Sequence, residues 1–425
     1  MFRALNEAAG LLRAPQRVIP LISRLASDEL RTAFAPRHLY SYTATTVSTA
    51  GALRTIIDWI LRARRPDGGI AAYYSFLTGY SASYPEVTGY IIPTLYDFGQ
   101  STGDPSASVA AANATQWLCA LQMPSGAFPG GLHESGTNAA PSVFNTGQIL
   151  QGLVRAHTET RNAEILQRAV DAGNWLSEIQ QLDGSWSGAA AYQGNAHTYY
   201  SMVAWALALL AAESGDLRHA VASDRNIDWV LTHVQPSGWI DGINLHGHPS
   251  YLHFIAYVIQ GILECGIVRR REDAIAAAAK SAWVLLRKFE THKRLLGTYE
   301  PDFKAGHKFT CLTGNAQMSC VWLRLFEVTG DLRYLNAALK MNEMLKQVLP
   351  LKGRREVLGG VAGSQPIWGP YQPMRLISWG GKFLADALML EQRLTRQLEA
   401  RFEGKFDREF DRKLERNFEA PQCAS

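Results

Sequence analysis

AGNWLSEIQQLDGSW, residues 172–186, decides the fold. Trp175, Leu176 and Ile179 share one face of an amphipathic helix, and Asp183-Gly184 reads as the turn that ends it. The same design stands at IIDWILRARRPDGGI (56–70), ATQWLCALQMPSGAF (114–128) and NIDWVLTHVQPSGWI (226–240). Trp59, Trp117, Trp175, Trp229 and Trp283 follow one another at spacings of 58, 58, 54 and 54 residues. A sixth unit, NAALKMNEMLKQV (336–348), carries Met344 near the Trp position. Self-similarity at a fixed period marks a repeat-built architecture.

Each unit has a second half. After the turn and a loop comes a strongly apolar helix, as in PEVTGYIIPTLYDFG, SVFNTGQILQGLVRA, HTYYSMVAWALALLA, SYLHFIAYVIQGILE, TGNAQMSCVWLRLFEVTG and ISWGGKFLADALML. These six are apolar around most of their circumference, which is the pattern of a buried helix, whereas the Trp-marked helices are amphipathic. The pairing predicts an all-α (α/α)6 toroid over 51–392, six inner helices within six outer ones. Residues 1–50 read as an N-terminal helical cap. Residues 393–425, with alternating charges and spaced Phe, read as a charged helical or disordered tail.

Of the 425 residues 47% are hydrophobic and 19% charged, a globular composition with a net charge of only +4. No Lys/Arg block interleaves with aromatics, so nucleic acid is not an expected partner. Five cysteines form no CxxC and no disulfide framework, which suits reduced thiols. Charges and two prolines break MFRALNEAAGLLRAPQRVIPLISRL, so no signal peptide or transmembrane run is expected there. Together these predict a cytoplasmic protein, working at the inner face of the membrane if its substrate is lipid-linked; the N-terminal segment suits peripheral association.

The chemistry-bearing residues crowd ahead of the apolar helices. In a toroid the inner helices run parallel, so their N-termini and the long loops share one face. Free N–H groups and positive dipole ends there suit an anion such as a uronate carboxylate. The first unit brings Tyr73, Tyr84, Glu86 and Tyr90 to that face, in YYSFLTGYSASYPEVTGY. The second brings Glu134, Asn145 and Gln148, and the third Trp186, His197 and Tyr199; Tyr200 follows Tyr199 directly, so only one of the two is expected to face the axis. The fourth brings Trp239, Asp241, His248 and His253, and the fifth Tyr299, Glu300, Asn315 and Gln317. The sixth brings Trp368, Tyr371, Trp379 and Lys382.

No metal or cofactor is expected. His246, His248 and His253 lie close in sequence, but no carboxylate or Cys stands at a familiar ligand spacing and Pro249 interrupts any helix carrying all three. No phosphate-cradling or dinucleotide-binding glycine motif is present. Asp67 and Asp183 match a glycine-turn signature and read as turn residues.

The repeat and its QxxDGSW turn resemble two toroid groups, the terpenoid cyclases with prenyltransferases and the six-hairpin glycan-active enzymes. The first implies a DxDD or DDxD-type acidic cluster, and the related lanthionine cyclases imply Cys and His zinc ligands. The sequence carries neither set. RPDGGIAAYYSF, SYPEVTGYIIPTLYDF, GAFPGG, FNTGQILQGL, TGNAQMSCVWLRLFEVTGDLRYL and GSQPIWGPY…WGGKFLADALM look like bacterial exopolysaccharide-biosynthesis proteins of the VpsJ type, over nearly the whole chain. GNAQ with its LxRxFExTGDxRYL helix is similar to the C-terminal helical domain of glucuronyl 5-epimerases. These resemblances imply a polysaccharide or lipid-linked oligosaccharide substrate.

Two chemistries fit. Epimerisation or β-elimination at a uronate needs a base and hydrogen-bond donors for the enediolate, for which Tyr84, Tyr90, Tyr199, Tyr299, His253, Asn145 and Gln317 are candidates. Hydrolysis needs two carboxyl groups, for which Glu86 with Glu300, Asp302 or Asp241 are candidates. A non-catalytic glycan-binding role is the alternative, and terpenoid chemistry a weaker one.

Overall fold

The computed structural model describes residues 47–133, 140–244 and 249–418, with side chains as far as residue 400. The expected cap falls almost wholly outside the described residues, as do Glu134, His246 and His248. Among the described residues twelve helices alternate between two rings. The outer ones are α1 (Thr49–Arg62), α3 (Pro105–Leu121), α5 (Ala163–Glu178), α7 (Leu217–Leu231), α9 (Glu272–His292) and α11 (Leu332–Gln347). The inner ones are α2 (Pro85–Thr102), α4 (Val143–Thr160), α6 (Ser201–Ser214), α8 (Leu252–Arg269), α10 (Leu312–Thr329) and α12 (Ser378–Phe418). Each inner helix packs on the next, and α12 returns to α2, so the ring closes as an (α/α)6 toroid.

Burial separates the rings as the sequence patterns predict. α8 is buried almost all round, whereas α5 buries only the stripe Ala169, Ala172, Gly173, Trp175 and Leu176. By length and composition α8 could cross a membrane, yet 78% of it is buried within the ring, the environment that selects an all-round apolar helix. α2 and α4 approach so closely that a Cβ on Gly89 would stand 2.5 Å from the Ile149 Cα. Gly152 meets the Gly89 carbonyl from the other helix, so each glycine makes room for the other.

The hairpins differ from the sequence reading, which joined each outer helix to the inner one after its loop. Each inner helix packs instead against the outer helix that follows it, and α12 against α1. The reason is the corner. Gly103, Gly215 and Gly330 adopt left-handed backbone at the ends of α2, α6 and α10, and Asp104, Asp216 and Asp331 then cap the next outer helix. Two residues suffice to reverse the chain, so these neighbours stay antiparallel and adjacent. The TGDLRYL string is this corner.

The longer connections lead from outer to inner helices at the other end. Gly68, Gly126, Gly184 and Gly238 have φ of 104°, 89°, 91° and 84°, where a side chain would be strained. Asp67 and Asp183 accept backbone N–H bonds two residues on, confirming their turn role. Gly126 and Gly184 press on backbone carbonyls of α5 and α7, and Gly359 presses on Thr55 of α1. Each turn thus clasps the next outer helix, including across the closure. The loops are also sewn together: Tyr73–Ser75 pairs antiparallel with Arg375–Ile377, joining the first unit to the last. α12 runs through residue 393 without a break, so the expected tail begins mid-helix; no Gly or Pro stands between Lys382 and Glu403 to stop it.

Candidate active site at the N-terminal ends of the inner helices

A cavity of about 520 Å³ opens where the inner helices begin. Three groups of side chains build it. The first is an acid corner. Pro85 starts α2, which puts Glu86 in its first turn with Tyr84 just outside. The Tyr84 phenol donates to Glu86 Oε2 at 2.5 Å and is itself hydrogen-bonded by Asn145 of α4. Burial pushes the Glu86 carboxyl up to about 7, against the opposing pull of the Tyr84 bond. Among the described residues it is the only carboxylate lining this cavity. Asn145 is held by donating to the Pro129 carbonyl at 3.0 Å.

The second group comes from α8. His253 and Tyr257 lie one turn apart on one face, ring centroids 4.3 Å from each other. His253 Nδ1 stands 2.5 Å from Gln317 Oε1 of α10. A carbonyl oxygen only accepts, so Nδ1 carries the proton and Nε2 keeps its lone pair. Burial holds the imidazole neutral, down to about 3. Tyr257 is hydrogen-bonded to Tyr90 of α2, and burial raises both phenols well above their ordinary range. The third group is an aromatic wall. Trp379 donates to the Tyr371 hydroxyl at 2.9 Å, and Phe144 meets Tyr199 edge-on at 5.1 Å.

The structure therefore brings together Tyr84, Glu86, Tyr90, Asn145, Tyr199, His253, Tyr371 and Trp379. Tyr199 and Tyr200 share a short 3₁₀ turn ahead of α6 and both border the cavity, but Tyr200 is wholly buried in the core and its hydroxyl accepts from the Tyr192 N–H, as expected of one of the pair. Sequence reading missed Tyr257 and Phe144. The signal for Tyr257 was its i+4 spacing from His253, which sets both on one helix face.

Other expected site residues lie elsewhere. Gln317 and His197 stand behind the wall, the first on His253, the second stacked on Tyr199 at 5.0 Å. Gln148 and Asn315 are sealed inside the inner ring, Asn315 donating to the Cys311 carbonyl. Trp186 and Trp239 are buried beneath the glycine turns, where the chain re-enters the core; their indoles donate to the Leu176 carbonyl and to Asp241. Asp241 also accepts from Gln235. Tyr299 accepts from the Leu296 N–H, and Glu300 ends the same loop strand, pairing with Lys304 in the ladder. Tyr73 lies under the Arg375 guanidinium, 4.2 Å from ring centroid to carbon, and Trp368 is a half-buried loop residue outside the cavity lining. Lys382 lies behind Tyr90, its ammonium 5.7 Å from that ring's centroid, and pairs with Asp386 at 2.6 Å on the side away from the cavity lining. Among the described residues no three His, Cys, Asp or Glu side chains gather as metal ligands.

Fold and site thus define an (α/α)6 toroid protein with an aromatic cavity around one carboxylate. Residues 39–262 match the model of the squalene-hopene cyclase C-terminal domain family, and the chain belongs to that family. No curated protein matches it in sequence. Among solved structures it is similar to an unsaturated glucuronyl hydrolase specific for heparin, with 13% identity, 82% of this chain and 98% of that one covered, and a TM-score of 0.66. It is similar to the cellobiose 2-epimerase of Spirochaeta thermophila DSM 6192 (16%, 82% and 96%, TM-score 0.66). It is also similar to the unsaturated glucuronyl hydrolase of Bacillus sp. GL1 (12%, 80% and 96%, TM-score 0.63). At these identities the likeness is one of fold.

Proposed function

We propose that this protein is a carbohydrate-active enzyme that moves a proton at the sugar carbon beside a carboxylate, epimerising or eliminating at an acidic glycan. One observation carries the reading: the cavity holds a lone carboxyl near 7 amid phenols, with no second described carboxylate lining it. A base near the working pH suits proton abstraction. Hydrolysis by a carboxylate pair is less favoured, because Asp241 bonds Gln235 and Trp239, and Asp302 accepts from Ser237 in the outer loops. Ionised Glu86 takes the carbon proton, and the Tyr257 phenol, which accepts from Tyr90, donates to an enediolate oxygen. Neutral His253 offers Nε2 to a sugar hydroxyl. Delivery of a proton from water to the other face, with Glu86 returning its proton to solvent, gives the epimer; departure of the substituent one carbon further, its oxygen taking the proton from Glu86, gives the unsaturated sugar.

The toroids named above as a glucuronyl hydrolase and a cellobiose epimerase support a sugar substrate by analogy of fold. The VpsJ-type resemblance supplies the context, exopolysaccharide biosynthesis, with a polymer or lipid-linked repeat unit met at the cytoplasmic face of the membrane. Terpenoid cyclisation, which the family name suggests, needs an acid strong enough to protonate an alkene; burial makes Glu86 a weaker acid than free glutamate.

The test is incubation with acidic polysaccharide in deuterated water. Deuterium entering uronate ring carbons without chain cleavage means epimerisation, and new absorbance near 235 nm means elimination. New reducing ends with neither signal would replace this reading by hydrolysis. Binding with all three silent would leave a glycan-holding module.

A further inference from the structure

The opposite end of the toroid holds a second and larger space. A bowl of about 1020 Å³ opens where the inner helices finish, and all six inner helices contribute to its wall. Its polar groups are organised. Glu264 of α8 receives two bonds from the Arg324 guanidinium, at 2.9 and 3.0 Å, and Arg324 also reaches Glu327 at 2.6 Å. Lys382 pairs with Asp386, which also accepts from Thr94 at 2.7 Å, and Arg155 pairs with Asp97 at 3.0 Å. Glu264 and Lys382 are 6% and 5% exposed, so these pairs are built into the wall.

Two wall groups have no partner. Gln260, 6% exposed and one turn ahead of Glu264, has an amide oxygen with no hydrogen bond. The Trp205 indole N–H on α6 has none either. A buried amide or indole left unpaired is destabilised by about 1–3 kcal/mol unless water or a ligand meets it. Val154, Leu209 and Met389 supply apolar surface between the polar groups.

We infer that this bowl is a second binding site, and that it takes an uncharged saccharide unit. Deep in the bowl the ion pairs are already matched, so a charged ligand there would have to break one of them; Arg396, which has no ion pair among the described residues, stands on the exposed rim. Sugar hydroxyls can donate to the carboxylates and accept from the guanidinium and ammonium groups while leaving each pair intact. Gln260 Oε1 accepts from a further hydroxyl, Trp205 donates to a ring or hydroxyl oxygen, and the C–H face of the sugar lies on the apolar strip. An acyl chain would leave Gln260, Lys382 and Arg324 facing hydrocarbon. This site does not depend on the proton-transfer reading of the other cavity, although a glycan-acting enzyme would gain from a second hold on its polymer.

Titration calorimetry of the full chain with neutral cello-, malto- and galacto-tetraoses tests it. At least one tetraose is expected to bind wild type in a mode that Gln260→Leu and Trp205→Ala each weaken by about tenfold. Both variants leave deuterium exchange or elimination at the other end unchanged. Trp205→Phe keeps the packing and loses only the donor, so a weakened mode there separates recognition from misfolding. Binding by no tetraose, or binding that none of the three variants alters, overturns the proposal. Displacement of bound tetraose by dodecanoate, with dodecanoate the tighter ligand, overturns it in favour of an acyl chain.

Discussion

Where the inner helices begin, the cavity keeps, among the described residues, one carboxylate, Glu86, and one imidazole, His253, and burial favours the neutral form of both. Where the same helices finish, Glu264 is paired with Arg324 and Lys382 with Asp386 in a space about twice as large. The helix dipoles alone would favour ionised carboxylates at the first end and cations at the second. The second end instead sets each acid against a base. At the first a dipole contributes about 0.3–1 kcal/mol, whereas moving a carboxyl from 4.5 to about 7 corresponds to about 3 kcal/mol. Desolvation wins there, and it yields a titrating group at neutral pH.

The largest expected effect tests the lone carboxyl. Glu86→Gln lowers the rate of proton transfer by about a thousandfold, read as deuterium exchange or absorbance near 235 nm. Wild-type activity climbs as pH rises through about 7, because the base is the ionised form. The same substitution has an opposite effect on stability. A carboxyl whose folded value is raised contributes stability present below 4.5 and lost as pH climbs through about 7. Urea denaturation should therefore show Glu86→Gln gaining up to about 3 kcal/mol on wild type between pH 4.5 and 8.5. An unchanged difference across that range would mean that the cavity is wet and the contrast between the ends false.

Arg324→Leu probes the other end. It strands Glu264, and the unfolding free energy is expected to fall by about 3 kcal/mol. A loss below about 1 kcal/mol would mean that the pair behaves like a surface ion pair. Gln317→Leu removes the acceptor of His253 Nδ1–H and costs about 1–3 kcal/mol of stability. It also frees the tautomer, visible in the imidazole nitrogen chemical shifts. Trp379→Phe is the mildest change. It frees the Tyr371 hydroxyl and is expected to raise KM by about fivefold, with kcat held, through loss of one hydrogen bond worth about 1 kcal/mol.

The sequence on its own determined the ring. Trp at a near-constant period, glycine turns and all-round apolar helices are signals legible within one unit, and each survives because every unit meets an equivalent neighbour in the closed ring. It also marked Tyr84, Glu86, Tyr90, Asn145 and His253, since all sit at or near the N-terminal ends of inner helices, where position in the repeat is position in space. Only the tertiary structure decided which aromatic faced the cavity. Trp186 and Trp239 look like Tyr371 and Trp379 in a linear reading, but the turn after each outer helix folds the first two under the core. Which of Tyr199 and Tyr200 is sealed in the core was likewise decided by the neighbouring loop, where the Tyr192 N–H holds the Tyr200 hydroxyl. The bowl at the far end was invisible in sequence because its polar groups lie one per turn on six separate helices. Burial, and with it the charge on Glu86 and His253, is a property of the closed ring that no single repeat carries.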